Sequence, residues 1–286
     1  MKILPMAVSS PFIAERYEAG AQVLKSRGHE FMFEPKARES VRGYLNGSDV
    51  ERLAELTNAL KSKADLVWAV RGGYGLTRLL PDLDLSGVAK FPVAVGFSDT
   101  SALLMHLWSR YKAKSLHARC VEKLEAESDE SLQALDLILA GQAKQIKYPK
   151  FDASIESGNL EGILLAANLA VLTALVGTES MPKLEGCILI LEDVNEPVYK
   201  LDRMFTQLWA SGALKGVVAI VVGYLTECGD RPEQVFLERC ADLGIPCFTG
   251  FPMGHQSPNW PVPVGVQARI QTTEGSACLQ ILEELF

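Results

Sequence analysis

The sequence predicts an α/β protein with an open parallel sheet in its N-terminal domain and a second domain after it. Strand-like and helix-like segments alternate through the first half, the pattern of parallel strands joined by crossover helices. Short apolar runs at 65–70 and 91–97 suit strands buried on both faces. The polar segment 141–160, rich in Lys, Ser and Gly, is typical of a linker. We therefore expect domains at residues 1–145 and 155–286.

The N-terminal elements follow in a regular order. KILPMAVS predicts a strand, and apolar residues at helical spacing over 13–24 predict the helix after it. The strand-like EFMFEP precedes Ser48 and Glu51, a Ser-x-x-Glu capping box that starts a second helix. After the two apolar strands, SLQALDLILAG predicts a closing helix with Gly141 beyond its end.

The second half is less regular and richer in strands. EGILLAANLAVLTALVG predicts a strand that turns into an apolar helix. Strand, helix, strand and helix then follow in CILILED, VYKLDRMFTQLWASG, GVVAIVVGYL and RPEQVFLERCADLG. VGVQARIQTTE and ACLQILEE predict C-terminal strands.

Composition and charge exclude several classes of protein. The chain has 286 residues, of which 48% are hydrophobic and 22% charged, so a sizeable core is expected. Its formal net charge of −7 argues against a nucleic-acid partner, which needs a basic surface. The sequence has no apolar run near the roughly 18 to 20 residues of a membrane span, and no evident signal-cleavage site. We expect a soluble, cytoplasmic protein without a membrane partner.

The cysteines and histidines give no pattern of a metal site. The six cysteines contain no Cys-x-x-Cys pair, and the four histidines are scattered along the chain. Neither zinc ligation nor a disulfide framework is indicated. We expect reduced thiols and no cofactor.

A serine lies where a strand-like segment passes into a helical one. Ser98 and Asp99 follow Gly96 and Phe97 at a strand end, where open parallel sheets bind ligands. A sharp strand-to-helix turn would expose the hydroxyl as in a nucleophile elbow. The alternative is that Ser98 or Asp99 only caps the helix. Because the pattern lacks the second glycine of Gly-x-Ser-x-Gly, the motif alone favours the cap.

A glycine-rich segment follows the neighbouring strand. Gly72, Gly73 and Gly75 come directly after Arg71, but Arg78 replaces the third glycine of a dinucleotide fingerprint. A nucleotide cofactor is therefore not indicated. The glycines would either turn backbone N–H groups toward an oxyanion or form a tight turn. The sequence alone favours neither.

A nucleophilic serine needs a base, and histidine is the usual one. His29 follows a helix-ending glycine, and His106 lies two turns along the helix after Ser98. His117 ends a short apolar stretch and stays a candidate. His255 lies in the Gly/Pro-rich segment GFPMGHQSPNWPVPVG, and loops often carry chemistry, so we favour it.

The base needs an orienting carboxylate. The segment CILILEDVNEPVYKLDRM offers Glu192, Asp193, Glu196 and Asp202. Glu192 closes a buried strand, so sheet geometry would hold its position. Acids here would also favour the start of the next helix. Spacing alone does not choose among the four.

Four segments together resemble the LD-carboxypeptidase family of serine peptidases. They are VRGGYGLTRLLPDLD, GFSDTSAL, ILILEDVNEPVYKLDRMFTQL and GFPMGH followed by VPVG, in the family's order. The family includes muramoyl-tetrapeptide carboxypeptidases of murein recycling and microcin-immunity peptidases. The resemblance implies a Rossmann-like N-terminal domain, a smaller C-terminal α/β domain, and release of the terminal D-alanine from a murein tetrapeptide.

The resemblance also implies residue roles. Ser98 matches the nucleophile, Glu192 the carboxylate and His255 the base, so that the triad spans both domains. Gly73 and Asp99 match the residues whose amides form the oxyanion hole. The sequence does not report the oligomeric state, although members of that family are often homodimers.

A carboxypeptidase must also recognise the free carboxylate of its substrate. Arg71 is the candidate because arginine binds carboxylates with two parallel hydrogen bonds, and the alternative is an ion pair that fixes the loop.

Two segments depart from the family pattern and leave the substrate open. Ala118-Arg119-Cys120 replaces Gly-Pro-Met, and Ala166-Ala167-Asn168 replaces Gly-Gly-Asn. Added methyl groups would narrow a pocket. Two alternatives to a murein carboxypeptidase therefore stand: an immunity-type peptidase that cleaves a peptidyl-nucleotide, and a protein that binds a cell-wall peptide without cleaving it.

Overall fold

The computed structural model describes residues 1–153, 158–273 and 275–286. Its N-terminal elements confirm the predicted order of strands and helices. They are β1 (Lys2–Met6), α1 (Ala14–Ser26), β2 (Glu30–Phe31), β3 (Ser40–Val41), β4 (Leu45–Asn46), α2 (Asp49–Leu60), β5 (Leu66–Ala69), β6 (Val93–Gly96), α3 (Ser101–Tyr111), β7 (Ser115–His117) and α4 (Asp129–Leu139).

The second half also follows the predicted order and adds three short strands. Its elements are β8 (Phe151–Ala153), β9 (Gly158–Asn168), α5 (Leu169–Ala174), β10 (Cys187–Val194), α6 (Val198–Ala210), β11 (Ala219–Thr226), α7 (Glu233–Leu243), β12 (Cys247–Thr249), β13 (Val262–Val264), β14 (Val266–Thr273) and β15 (Ser276–Ile281).

The first sheet has six strands in the order β13-β7-β6-β5-β1-β2. The strands from β2 to β7 in this sheet are parallel, which confirms the predicted open parallel sheet. The edge strand β13 comes from the C-terminal part of the chain and pairs antiparallel with β7, so that Val262 lies opposite His117. The chain therefore returns to the first sheet after it has built the second.

The second sheet is a closed barrel in the order β10-β11-β12-β8-β15-β14-β9. The strands β9, β10, β11 and β12 are parallel neighbours, whereas β8, β14 and β15 pair antiparallel. With α5, α6 and α7 this sheet forms the second α/β domain expected from the sequence.

The predicted linker at 141–160 contributes a strand to this barrel. β8 pairs with both β12 and β15 and so closes the ring of strands. Phe151 is buried, and its ring packs edge-on against Phe248 and Phe251 at 5.8 and 5.4 Å between centroids. A single apolar residue among polar neighbours gives no periodicity, which is why the sequence did not reveal this strand. Residues 154–157 of the predicted linker lie outside the described residues.

The predicted start of α2 is confirmed. The Glu51 N–H donates to Ser48 Oγ at 3.3 Å, and the Ser48 N–H donates to Glu51 Oε2 at 2.9 Å, which together form the capping box. No helix within the described ranges has the length and apolar character needed to cross a bilayer.

The parallel strands of the first sheet bring three loops to one edge. β1, β5 and β6 run in the same direction, so their carboxyl ends lie together. Ser9 follows the first of them, Gly72 the second and Ser98 the third. This edge is where an open α/β sheet binds its ligand.

Helix α1 contacts the chain after β7 closely at Gly20, so a substitution there tests how the helix packs. A Cβ added at Gly20 would lie 1.7 Å from the carbonyl oxygen of Val121. We expect Gly20→Ala to lower the free energy of unfolding by about 3 kcal/mol through overpacking. Alanine is the better helix former by about 1 kcal/mol, so intrinsic propensity predicts the opposite sign. Urea unfolding measures the difference.

Glu18→Ala is the control, since Glu18 is exposed on the same helix. It should shift stability by less than about 0.5 kcal/mol. A Gly20→Ala variant as stable as the wild type would contradict the contact.

Candidate active site

Ser98 lies on a strained turn between β6 and α3. Its φ is 59°, in the left-handed region that residues with a side chain rarely adopt. The turn is tight because Gly96 has no side chain: a Cβ there would lie 2.7 Å from Thr100 Cγ2 and 2.9 Å from Ala69 Cβ. The half-buried hydroxyl is presented at the strand end, as in a nucleophile elbow.

The alternative role of Ser98 or Asp99 as a helix cap has no support in the geometry. In the part of the chain that the structure describes, α3 begins at Thr100–Ser101 without a side-chain cap hydrogen bond. The short 3-10 turn Ser98–Thr100 before it also lacks one.

Asp99 uses its side chain to connect the loops at this edge. Its buried carboxylate accepts hydrogen bonds from Ser9 Oγ at 2.6 Å and from the Leu76 N–H at 3.0 Å. Burial raises the pKa of this carboxyl group, and the hydrogen bonds oppose that shift. The sequence offered Asp99 as a helix cap or, by resemblance, as a backbone donor to the oxyanion hole. The side chain also holds the glycine-rich loop against the serine turn.

The glycine-rich loop packs directly on Ser98. A Cβ at Gly72 would lie 3.0 Å from Ser98 Cβ and 3.2 Å from Ser98 Oγ. Gly73 has a φ of 106°, and a Cβ there would lie 2.2 Å from Ser10 Oγ. Both positions therefore need glycine, one for close approach and one for conformation as well. The sequence had singled out Gly73 and missed the contact of Gly72.

His255 is held by Glu192. The imidazole Nδ1 lies 2.7 Å from Glu192 Oε2, and because a carboxylate only accepts, Nδ1 is the donor. Glu192 is completely buried in β10 and does not close it as expected, because the strand continues to Val194; 20% of the His255 side chain is exposed. Gly254 permits this approach: its φ is 137°, and a Cβ there would lie 3.0 Å from Glu192 Oε2.

The His255 ring packs against the ring of Phe97, the residue before the serine turn. The Phe97 and His255 rings are 4.9 Å apart between centroids, and Phe97 directly precedes Ser98. Among the hydrogen bonds of the described residues, the Ser98 hydroxyl makes none. Catalytic hydrogen bonds are often long without substrate and shorten in its complex.

The other acids of this segment have different partners. Asp193 accepts from Asn168 Nδ2 and from the Ala170 N–H, both at 3.0 Å, and so supports the start of α5. Glu196 pairs with Lys200 at 3.3 Å. Asp202 lies 3.6 Å from Arg239. Of the four candidate carboxylates, Glu192 is the one that contacts a histidine.

The other three histidines have different surroundings. His29 Nδ1 lies 3.5 Å from the N-terminal amine. His106 bonds Ser180 Oγ at 2.9 Å within the protein interior. His117 is fully buried on β7, edge-on to Phe97 at 6.1 Å, and burial lowers its pKa to about 4. It is therefore neutral near pH 7.

Arg71 makes loop-fixing contacts. Its Nη1 donates to the carbonyl of Pro11 at 2.7 Å, and its Nε lies 3.5 Å from Glu122 Oε1. The side chain is 40% exposed, so it still reaches solvent beside the glycine-rich loop.

The two segments that depart from the family pattern occupy different environments. Ala166 and Ala167 are completely buried in β9, paired with Ile190 and Leu191. Arg119 is nearly buried, and its guanidinium lies over the Phe97 ring at 5.6 Å. The sequence predicts both departing stretches near a substrate pocket, but it gives Phe97 no role and Arg119 none of its own.

Comparison with known families assigns both halves of the chain. Residues 3–118 match the LD-carboxypeptidase N-terminal domain, and residues 161–270 match the LD-carboxypeptidase C-terminal domain.

Similar proteins and structures cover almost the whole chain. A Synechocystis protein with a provisional carboxypeptidase name is 35% identical over 91% of this chain and 87% of its own length. The murein tetrapeptide carboxypeptidase of Pseudomonas aeruginosa is 30% identical over 94% of this chain and 93% of its own. The crystal structure of muramoyltetrapeptide carboxypeptidase from Oxalobacter formigenes matches with a TM-score of 0.85 and 28% identity, over 98% of each chain.

The environment of Asp193 makes stability depend on pH. Burial raises its pKa to about 6, against an ordinary value near 4, although hydrogen bonds from three N–H groups oppose the shift. A raised carboxyl pKa in the folded state means that this group's contribution to stability is lost as pH rises from about 4 to about 6. Between pH 4.5 and 7, the unfolding free energy of the wild type should fall relative to Asp193→Asn by on the order of 2 kcal/mol.

Urea unfolding at several pH values measures this difference. A difference between the two proteins that stays constant, or that grows in favour of the wild type, would show that Asp193 is not protonated more readily in the folded state.

Proposed function

This chain belongs to the LD-carboxypeptidase family of serine peptidases, and we propose that it hydrolyses the L,D peptide bond to the terminal D-alanine of murein tetrapeptides. The proposed reaction belongs to peptidoglycan recycling, and the proposed compartment is the cytoplasm. The substrate class follows from the murein tetrapeptide carboxypeptidase relative and from the matching Oxalobacter structure.

One geometric observation supports the proposal most strongly. The buried carboxylate of Glu192 accepts from His255 Nδ1, and the His255 ring contacts the ring of Phe97, the residue before Ser98 on its strained turn. A hydroxyl, an imidazole and a carboxylate in this order are the parts of a serine-hydrolase triad.

In the proposed mechanism, His255 Nε2 accepts the proton of Ser98 Oγ as the oxygen attacks the carbonyl carbon of the scissile bond. The backbone N–H groups of Gly73 and Asp99 stabilise the resulting oxyanion. The imidazolium, stabilised by Glu192, then gives its proton to the amine of the leaving D-alanine. Water attacks the acyl-enzyme with His255 again as base, which releases the tripeptide and restores the Ser98 hydroxyl.

Recognition of the substrate's free carboxylate is assigned to Arg71. Its contacts to Pro11 and Glu122 use Nη1 and Nε, and among the contacts of the described residues Nη2 has none, so Nη2 is left for a carboxylate. The loop-fixing role and the binding role are therefore compatible.

A second candidate function, which uses the same serine-peptidase chemistry, is supported by a different relative. The microcin C7 self-immunity protein MccF of Escherichia coli is 26% identical over 89% of this chain and 85% of its own. The second candidate function is therefore that of an immunity-type peptidase acting on a peptidyl-nucleotide. The third is that of a protein that binds a cell-wall peptide without cleaving it. Incubation with murein tetrapeptide and, in parallel, a microcin-type adduct separates the first two by the masses of the products.

Removal of the Ser98 hydroxyl should abolish turnover. We expect Ser98→Ala to lower kcat by on the order of 10⁴ to 10⁶, because the nucleophile is lost while the binding surface stays. The assay is mass spectrometry of tetrapeptide conversion to tripeptide and D-alanine. Ser86→Ala, at an exposed serine, is the control and should keep wild-type activity. More than a tenth of wild-type activity in Ser98→Ala would rule out Ser98 as nucleophile.

Activity should fall in acid. A general base must be neutral to accept a proton, so kcat/KM should decline as the pH is lowered. Circular dichroism at each pH shows whether the fold is intact. A folded protein with a flat profile down to pH 5 would contradict His255 as the base.

Glu192→Gln should lower kcat by on the order of 10⁴, since a neutral amide does not stabilise the imidazolium.

A further inference from the structure

Two charged side chains of the first domain hold the loop that carries His255. This loop, residues 255–259, lies between β12 of the barrel and β13 of the first sheet, and we call it the His255 loop. In the described ranges, each hydrogen bond from its backbone to elements outside residues 254–259 goes to Arg119 or Glu127.

The contacts are specific on both sides. Arg119 Nη2 donates to the carbonyl oxygen of Gln256. Glu127 Oε1 accepts from the Asn259 N–H at 3.1 Å and from Ser257 Oγ at 3.0 Å. The Asn259 side chain then accepts from the Gly254 N–H at 2.8 Å, next to His255. The chain of hydrogen bonds thus runs from Glu127 to the residue before the histidine.

Arg119 and Glu127 are themselves fixed by each other and by the first domain. Arg119 Nε lies 2.6 Å from Glu127 Oε2, with 8% and 2% of the two side chains exposed. Trp68 Nε1 donates to the carbonyl of Arg119 at 2.8 Å, and the Ser128 N–H donates to Glu127 Oε1 at 2.8 Å. A buried ion pair is costly unless its remaining hydrogen bonds are satisfied, and here the His255 loop satisfies part of them.

Arg119 and His255 both contact the aromatic ring of Phe97. The Arg119 guanidinium lies over the Phe97 ring at 5.6 Å, and the His255 ring is 4.9 Å from the same ring. Phe97 is bonded in sequence to Ser98. The pair therefore touches both the loop that carries the base and the turn that carries the nucleophile.

We propose that Arg119 and Glu127 are positioning residues that set His255 relative to Ser98 across the two domains. The proposal rests on the proposed function for its catalytic consequence. It assigns a role to Arg119 at a position where the sequence departs from the family pattern. An irregular loop has no sheet ladder to hold it, so its position depends on these side chains.

The test compares Glu127→Gln, Arg119→Met and the double variant Arg119→Met/Glu127→Leu with the wild type. Each single variant should lower kcat on murein tetrapeptide by about 10- to 100-fold with KM within about twofold, since misplacement of a catalytic group by about 1 Å has such an effect. Amide hydrogen exchange in peptides covering 254–259 should become at least tenfold faster.

The double variant separates positioning from stability. It leaves no unpaired buried charge, so its melting temperature should recover relative to the single variants. Its kcat should stay low and its loop exchange fast, because nothing replaces the bonds to Gln256 and Asn259. Recovery of kcat together with melting temperature would reduce the pair to a structural role and overturn the proposal.

Glu283→Gln is the matched control. It breaks another ion pair between the two halves of the chain, Lys114 Nζ to Glu283 Oε1 at 2.6 Å, and should leave kcat and loop exchange within twofold. If wild type and Ser98→Ala convert the tetrapeptide equally, the proposed function fails, and exchange alone decides the pair's role. Unchanged exchange in Glu127→Gln overturns the inference whatever the activity.

Discussion

The site depends on one crossing of the chain between two sheets. Ser98 follows a strand of the first sheet, and Glu192 lies near the carboxyl end of a strand of the barrel. The segment between β12 and β13 leaves the barrel and joins the first sheet, and it carries His255 on the way. Since β13 pairs with β7, next to β6 and its serine turn, the sheet pairing brings the His255 segment to the side of the first sheet that carries Ser98.

Buried polar groups fix the loops at this site. Glu192 and Asp99 are both buried, and burial of a carboxylate is unfavourable without donors. Glu192 has His255 as its donor, and Asp99 has Ser9 and the Leu76 amide. Each carboxylate therefore requires its partner element to be in place, and a misplaced loop would leave a buried charge unpaired.

The chain shares its family's architecture and differs from the family pattern beside the site. The alanines at 166 and 167 lie in the interior of β9, whereas Arg119 reaches the Phe97 ring and the His255 loop. The difference closest to the proposed chemistry is thus a charged residue. Its guanidinium links the first domain to the His255 loop.

The sequence by itself determined the order of elements, the parallel first sheet and the presence of a second α/β domain, because hydrophobic periodicity and capping patterns are local. It also singled out Ser98 and His255 as candidates, but the motif alone favoured a helix cap for Ser98, and the triad with Glu192 rested on resemblance. Only the tertiary structure decided that Glu192 rather than Asp193 contacts His255, that β8 closes the barrel, and that Gly72 packs on Ser98. Contacts such as those of Arg119 and Glu127 with residues 256–259 join positions more than 125 residues apart in the chain. No local pattern records such contacts, since they arise from the way whole sheets pack together.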